Sequence, residues 1–233
     1  MTDGQADLNI LAGTEIFRSL PGEVVDEIRR LAVRRRIARK AVLYHQGDAA
    51  DNFYVVIVGR LRATQTAPDG AQIALRYLGP GEIAGYAALS AIPAYPGTVS
   101  AVEDTHLFSW STHTIRQLMG AHAQIAMNAV AVLGTRYQET QTRLRELSTE
   151  TVERRIAHTL TRLANQAGRR TAQGIEICFP LSRQDFAELA GTTLHTVSRT
   201  LSAWEKDGVV SSTHRYIVIH RPDVLERIRE EAS

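Results

Sequence analysis

Between residues 181 and 204 the chain sets polar side chains at helical spacing in a way that suits the edges of bases. Arg199 carries a guanidinium whose paired N–H groups match the O6 and N7 acceptors of guanine. Ser198 and His195 can each donate or accept a hydrogen bond. At i, i+3 and i+4 the three residues share one face of a helix beginning after Thr193. Leu194, Val197, Leu201 and Trp204, spaced 3, 4 and 3, form an apolar stripe on the other side and are expected to face a core. Thr193 and Arg183 are placed for phosphate oxygens, which position a protein on a duplex without reading it.

Such side chains read nothing unless local structure presents them. Ser182 and Asp185 have the spacing of a capping box, with Asp standing in for the usual Glu or Gln. Phe186, Leu189 and Ala190 give a short helix its apolar face, and Gly191 stops it. Thr193 then caps the next helix. Two short helices joined through a glycine turn, the second presenting short polar and Arg side chains near its start, make a helix-turn-helix. Val209-Val210, a polar turn and 216–219 follow as a β-hairpin wing. A polar helix face is ordinarily a solvated one; here cap, turn, stripe and polar face all agree. Charge adds nothing to the argument. The chain carries a net +2, and from Thr149 onward 12 Lys+Arg stand against 11 Asp+Glu.

From 121 to 147 there is no proline. Ala126, Val130, Leu133, Tyr137, Thr140, Leu144 and Leu147 follow a 4-3-4-3-4-3 spacing, the seam of a coiled coil. A helix of that length runs about 40 Å, too long for one small domain to cover. Val130, Leu133, Tyr137 and Leu144 are therefore expected in a homodimer interface. Ser148 or Thr149, followed by Glu150, is expected to cap a new helix and mark the hinge.

Upstream, 10–31 reads as short helices broken at Pro21-Gly22. From 33 to 110 the period falls to two. Gly47-Asp48, Asp69-Gly70, Gly79-Pro80-Gly81 and Pro96-Gly97 separate short β-rich runs, among them Phe53–Val58, Ile73–Leu78 and His106–Trp110. An antiparallel jelly-roll barrel and a plain β-sandwich share this periodicity. The fold class is α+β. A chain of 233 residues, 44% apolar and 22% charged, has room for a sensory barrel domain at 10–120, a dimerisation helix at 121–147 and a winged helix-turn-helix domain at 148–233. No basic segment leads into an apolar run at the N-terminus, and no stretch approaches a membrane span, so a cytoplasmic protein without membrane association is expected. One cysteine, Cys178, excludes an internal disulfide and a cysteine-ligated iron–sulfur cluster made within one chain. A packing or exposed structural role for Cys178 outweighs a redox one. No phosphate loop, nucleophile elbow or acid pair points to an enzyme.

At this level the chain resembles the cyclic-AMP receptor protein/fumarate–nitrate regulator superfamily. Gly47-Asp48-Ala49-Ala50-Asp51-Asn52-Phe53-Tyr54-Val55-Val56, with Gly59 following, is similar to the signature of the cyclic-nucleotide-binding domain. Leu78-Gly79-Pro80-Gly81-Glu82 is similar to that domain's next turn. Leu181-Ser182-Arg183-Gln184-Asp185 and Thr196-Val197-Ser198-Arg199 resemble the helix-turn-helix. The resemblance implies a homodimeric transcription regulator with double-stranded DNA and RNA polymerase as partners, on a TTG-spacer-CAA palindrome. A module that binds an effector without touching DNA is the alternative.

The departures concern the effector. Nucleotide-binding members hold the ribose with Gly-Glu and the cyclic phosphate with Arg followed by Ser or Thr. Here Gly85 precedes Tyr86, and Tyr95-Pro96 stands in place of the Arg pair, so cyclic AMP is not expected to bind; Tyr86 and Tyr95 become the candidate pocket contacts. Gly191-Thr192-Thr193-Leu194-His195-Thr196-Val197-Ser198-Arg199 and Val152-Glu153-Arg154-Arg155-Ile156-Ala157-His158 are similar to the nitrite/nitric-oxide reductase regulator type. That similarity implies a nitric-oxide-related signal of denitrification, with haem as the candidate cofactor and His113 and His122 as candidate iron ligands. A regulator answering another small molecule, or none, is the alternative.

Overall fold

In the computed structural model, residues 3–70, 72–90, 92–213 and 216–230 are described. Their contacts divide the chain into two units, Met1–Glu139 and Thr140–Ser233. The first opens with α1 (Asp3–Gly13), a 3-10 turn at Glu15–Phe17 and α2 (Gly22–Arg30). Eight strands follow: β1 (Val33–Ile37), β2 (Val42–Tyr44), β3 (Asn52–Val58), β4 (Leu61–Thr66), β5 (Gln72–Leu78), β6 (Ile83–Ala84), β7 (Thr98–Ala101) and β8 (Thr105–Ser111). They form two antiparallel sheets in the orders β1-β8-β3-β6 and β2-β7-β4-β5. This is the jelly roll, and it decides between the two all-β readings that periodicity left open.

Strand β3 departs from the period of two, with Phe53–Ile57 all buried. Phe53, Val55 and Ile57 pack in one cluster with Phe17, Val25, Ile28 and Trp110, while Tyr54 and Val56 pack in another with Leu61, Leu78, Val99 and Leu107. Both faces of the strand are covered, by helices on one side and by the second sheet on the other. Trp110 donates its indole N–H to the Ile28 carbonyl at 2.8 Å, so its buried polar atom is satisfied.

The long helix expected over 121–147 is α4, and a further helix, α3, precedes it. Ser111 caps α3 (Thr112–Ala121) by accepting from Thr114 N, and α4 runs Ala123–Thr149, with His122 at the break. Residues 123–139 of α4 belong to the first unit and 140–149 to the second. The break has a packing cause: Ile115 and Leu118 of α3 and Ile125 and Ala129 of α4 all enter the helical core cluster, which a straight rod could not reach. No single described helix is long and apolar enough to cross a membrane; α3 and α4 meet both conditions only as a pair bent by 115°.

The second unit continues with α5 (Val152–Ala167), β9 (Gly168–Thr171), β10 (Gly174–Ile177), α6 (Arg183–Ala190), α7 (Leu194–Lys206), β11 (Val210–Ser212), β12 (Ile217–Ile219) and α8 (Pro222–Glu230). The four strands make one sheet, β11-β12-β10-β9. The cap of α5 is Thr151, whose hydroxyl accepts from Arg154 N, and not Ser148 or Thr149. Those two bond back to the Leu144 and Arg145 carbonyls at 2.9 Å each and so continue α4 by one more turn.

Ionic side chains tie α4, α5 and α8 together. Buried Glu146 accepts two hydrogen bonds from Arg162 Nη1 at 2.8 and 2.7 Å. His158 Nδ1 accepts from Arg229 Nε at 3.1 Å, and its Nε2 lies 3.2 Å from Glu150 Oε2. An imidazole nitrogen that accepts carries no proton, so His158 is neutral here.

Candidate nucleic-acid interface and barrel pocket

The helix-turn-helix forms through the contacts its sequence encodes. Ser182 Oγ accepts from Asp185 N at 3.0 Å and donates to the Asp185 carboxylate at 2.7 Å. Gly191 ends α6 in the left-handed conformation, φ 62°, where a Cβ would also strike Leu147 at 2.5 Å. Thr193 Oγ1 accepts from Thr196 N at 3.2 Å and starts α7. Val197, Leu201 and Trp204 are buried, and Trp204 donates its indole N–H to Glu153.

On the opposite face His195 and Arg199 are exposed and Ser198 is half-buried, so the three readout candidates come together. Leu194 departs from the expected stripe. It is 45% exposed, because the core covers α7 only from Val197 onward. An apolar side chain at the first helical position, next to His195, has the chemistry to meet a thymine methyl group, and the stripe spacing had hidden it. Thr193 is exposed while serving as the cap. Arg183 donates to Ser212 Oγ of β11 at 3.1 Å and lies 3.6 Å from Glu205 of α7, so it ties the wing to the recognition helix. The wing strands are present, and the tip of the polar turn, 214–215, lies outside the described residues. Cys178 follows β10 and is exposed.

Along α4 one face is spent: Ile125, Ala129 and Val132 are buried. The proposed seam lies on another face. Val130 is 67% exposed, Tyr137 66%, Leu144 58% and Leu133 38%, with Leu147 exposed beside them. So continuous an apolar stripe on one chain is a surface awaiting a partner.

The barrel holds a pocket of about 150 Å³, lined by Tyr44, Ala63, Leu75, Arg76, Leu78, Ile83, Ala84, Gly85, Tyr86, Ala87, Tyr95, Pro96, Gly97 and Val99. Tyr86 and Tyr95 line it as expected. Tyr95 is engaged elsewhere, its hydroxyl donating to Asn52 O at 2.7 Å and accepting from Asn52 N at 3.0 Å. Its ring stacks on Tyr44 with centroids 3.7 Å apart. Tyr86 accepts from Arg136 Nε at 3.4 Å. Burial raises the pKa of all three phenols, so they stay protonated. Gly85 sits at φ 81°, with the Asn52 carbonyl only 2.6 Å from where a Cβ would stand.

Arg76 brings to the pocket wall a cation that residue spacing does not reveal. The cause is a bulge. Ala63 pairs with Arg76 and Thr64 with Ala74, so the register shifts by one residue at Leu75, and both Leu75 and Arg76 line the pocket. Alternation read from sequence cannot see such a slip.

His113 and His122 do not line the pocket. His113 is exposed on α3, and His122 Nε2 lies 3.3 Å from Glu27 on α2. Haem iron takes a His, Cys, Met or Tyr ligand. Only tyrosines are in the lining, all protonated, and a cavity of this size suits a benzene-sized group rather than a macrocycle. The residues present do not fit haem.

Against this geometry the comparisons are decisive. Residues 34–122 match the cyclic nucleotide-binding domain family and residues 154–228 the Crp-like helix-turn-helix domain family. A cyclic AMP receptor protein of Thermus thermophilus is 30% identical over 218 residues, covering 94% of this chain and 98% of that protein. The chain belongs to the cyclic-AMP receptor protein/fumarate–nitrate regulator superfamily. As a member it is a DNA-binding transcription regulator, and its relatives are regulators rather than enzymes. The nitrogen fixation regulation protein FixK of Azorhizobium caulinodans is 27% identical over 210 residues, 89% of this chain and 82% of that one. The structure of FixK2 from Bradyrhizobium japonicum has the same fold, with a TM-score of 0.77 at 23% identity over 87% of this chain and 99% of that chain.

Proposed function

We propose that this regulator works in the cytoplasm as a homodimer joined along Val130, Leu133, Tyr137 and Leu144, reading a TTG-spacer-CAA palindrome and acting through RNA polymerase. The exposed polar face of α7 above a buried Val197–Leu201–Trp204 stripe carries this reading. Two copies of α7 enter successive major grooves about 34 Å apart. Arg199 takes the guanine edge, Ser198 and His195 the neighbouring bases, and Thr193 and Arg183 phosphate oxygens. Gel-shift titration against a palindromic fragment tests it; binding no tighter than to an unrelated duplex contradicts it.

The barrel pocket is the sensory site in this proposal, and its signal is not cyclic AMP. Tyr86 and Tyr95-Pro96 stand where the ribose and phosphate contacts are expected, and a cavity of about 150 Å³ is too small for a nucleotide. Calorimetry should detect no binding at micromolar cyclic AMP; a micromolar Kd would overturn the exclusion. Two readings of the signal stand. Similarity of 191–199 and 152–158 to the nitrite/nitric-oxide reductase regulator type supports a nitrogen-oxide signal. The lining of the pocket, apolar with one arginine and no haem ligand but protonated phenols, supports another small molecule.

A further inference from the structure

Resting on the reading of the barrel pocket as the sensory site, but not on either signal, we propose that it takes a small monocarboxylic acid with a flat apolar body, the carboxylate held by Arg76. The pocket has a polar end and an apolar remainder. Leu75, Leu78, Ile83 and Val99 line the apolar part, with the stacked rings of Tyr44 and Tyr95 as a flat wall. Its volume of about 150 Å³ matches a body of roughly benzene size.

The polar end offers donors without acceptors. Arg76 Nη2 donates to Glu82 Oε1 at 2.5 Å, and Gly79 N donates to Glu82 Oε2 at 2.8 Å, so both oxygens of that carboxylate are engaged. Arg76 Nε and Nη1 are sealed from solvent and make no hydrogen bond. The other nearby anion, Glu139 Oε2 on half-exposed α4, is 3.9 Å from Nη1, beyond hydrogen-bond reach. Buried donors without acceptors carry an unrecovered desolvation cost. A ligand end that only accepts, and accepts strongly, relieves it, and a carboxylate does both.

Charge narrows the class further. Glu82 already balances much of Arg76, so a single ligand charge, in place of the distant Glu139, is as much as the site can hold. A phosphate monoester brings nearly two charges and exceeds it. Nitrite and nitrate share the planar acceptor chemistry but leave the apolar part unfilled, which makes them the informative comparison. Because Glu139 lies on α4, a carboxylate on Arg76 Nη1 removes an attraction between β5 and that helix.

Calorimetry on the full-length protein with benzoate, toluene and nitrite tests the proposal. Benzoate is expected to bind about tenfold or more tightly than toluene or nitrite, since one charge-assisted hydrogen bond is worth at least that factor. Arg76→Gln should lose that advantage while toluene binding persists. Absence of benzoate binding, equal binding of benzoate and toluene, or unchanged benzoate affinity in Arg76→Gln overturns the proposal. Nitrite binding more tightly than benzoate overturns it in favour of the nitrogen-oxide signal. Anisotropy with palindromic DNA on the same samples keeps the sensory reading separate. Benzoate binding that leaves DNA affinity unchanged upholds the ligand class and contradicts the sensory role.

Discussion

The recognition helix and the barrel pocket are the two working regions of this molecule, and they are built from contacts of opposite range. The caps and the stop that present His195, Ser198 and Arg199 all lie in one short stretch of chain: the Ser182 cap, the Gly191 stop and the Thr193 cap. The pocket instead gathers Tyr44, Arg76, Tyr86 and Tyr95 from separate strands and turns of two sheets. Local chemistry writes itself into the sequence as spacing. Chemistry assembled across a sheet depends on register, and a bulge of one residue is enough to hide it.

The largest expected effect comes from the seam that carries the first region into a dimer. Leu133→Glu with Tyr137→Glu places charges where two copies must close. Sedimentation should show a monomer, and specific DNA affinity should fall by about 100-fold or more, since one half-site alone loses the avidity of two. A double variant that sediments as a dimer breaks the assignment of that face. Next in size is Arg199→Ala, which removes one bidentate contact per half-site at a cost of about 1–3 kcal/mol each and should relax selection at the guanine. His195→Glu should change preference at the adjacent inner base pair and leave TTG intact, because an ionised carboxylate only accepts.

Legibility followed the same division. The jelly-roll strands, both caps of the helix-turn-helix and the exposed α4 stripe could all be read from period and spacing. Helix α3 could not, because it answers to a core that recruits Ile115 and Leu118 from it and Ile125 and Ala129 from α4. Nor could the cap of α5, since Ser148, Thr149 and Thr151 are equally good caps by type. Only the structure shows that the first two bond backward along α4. Leu194 matched the stripe by spacing and lies past its covered end. Arg76 and the His158 cluster needed long-range pairing to appear at all.

The cap correction gives a smaller and sharper prediction. Thr151→Ala should cost about 1 kcal/mol in chemical denaturation, and Thr149→Ala distinctly less, as its hydroxyl caps no helix start. Equal losses would restore the original hinge position. The smallest effect concerns His158. Burial lowers its pKa, Arg229 and Arg162 add to the shift, and Glu146 and Glu150 oppose it. A histidine depressed in the fold binds its proton more readily when unfolded. Its contribution is therefore fully present above the usual histidine value near 6.5 and is lost as pH falls through it toward the folded value. Denaturation midpoints measured from pH 7.5 down to 5.5 should fall, and fall less steeply in His158→Gln. Parallel curves for the two proteins would remove His158 from the account.

Selection from randomised DNA with the intact protein and with Arg199→Ala tests the central claim most directly. The intact protein should recover a palindrome with TTG and CAA arms about one helical turn apart. The variant should recover the same spacing with the guanine preference gone. Recovery of no palindrome, or an undiminished guanine preference in Arg199→Ala, would contradict the placement of α7 in the groove.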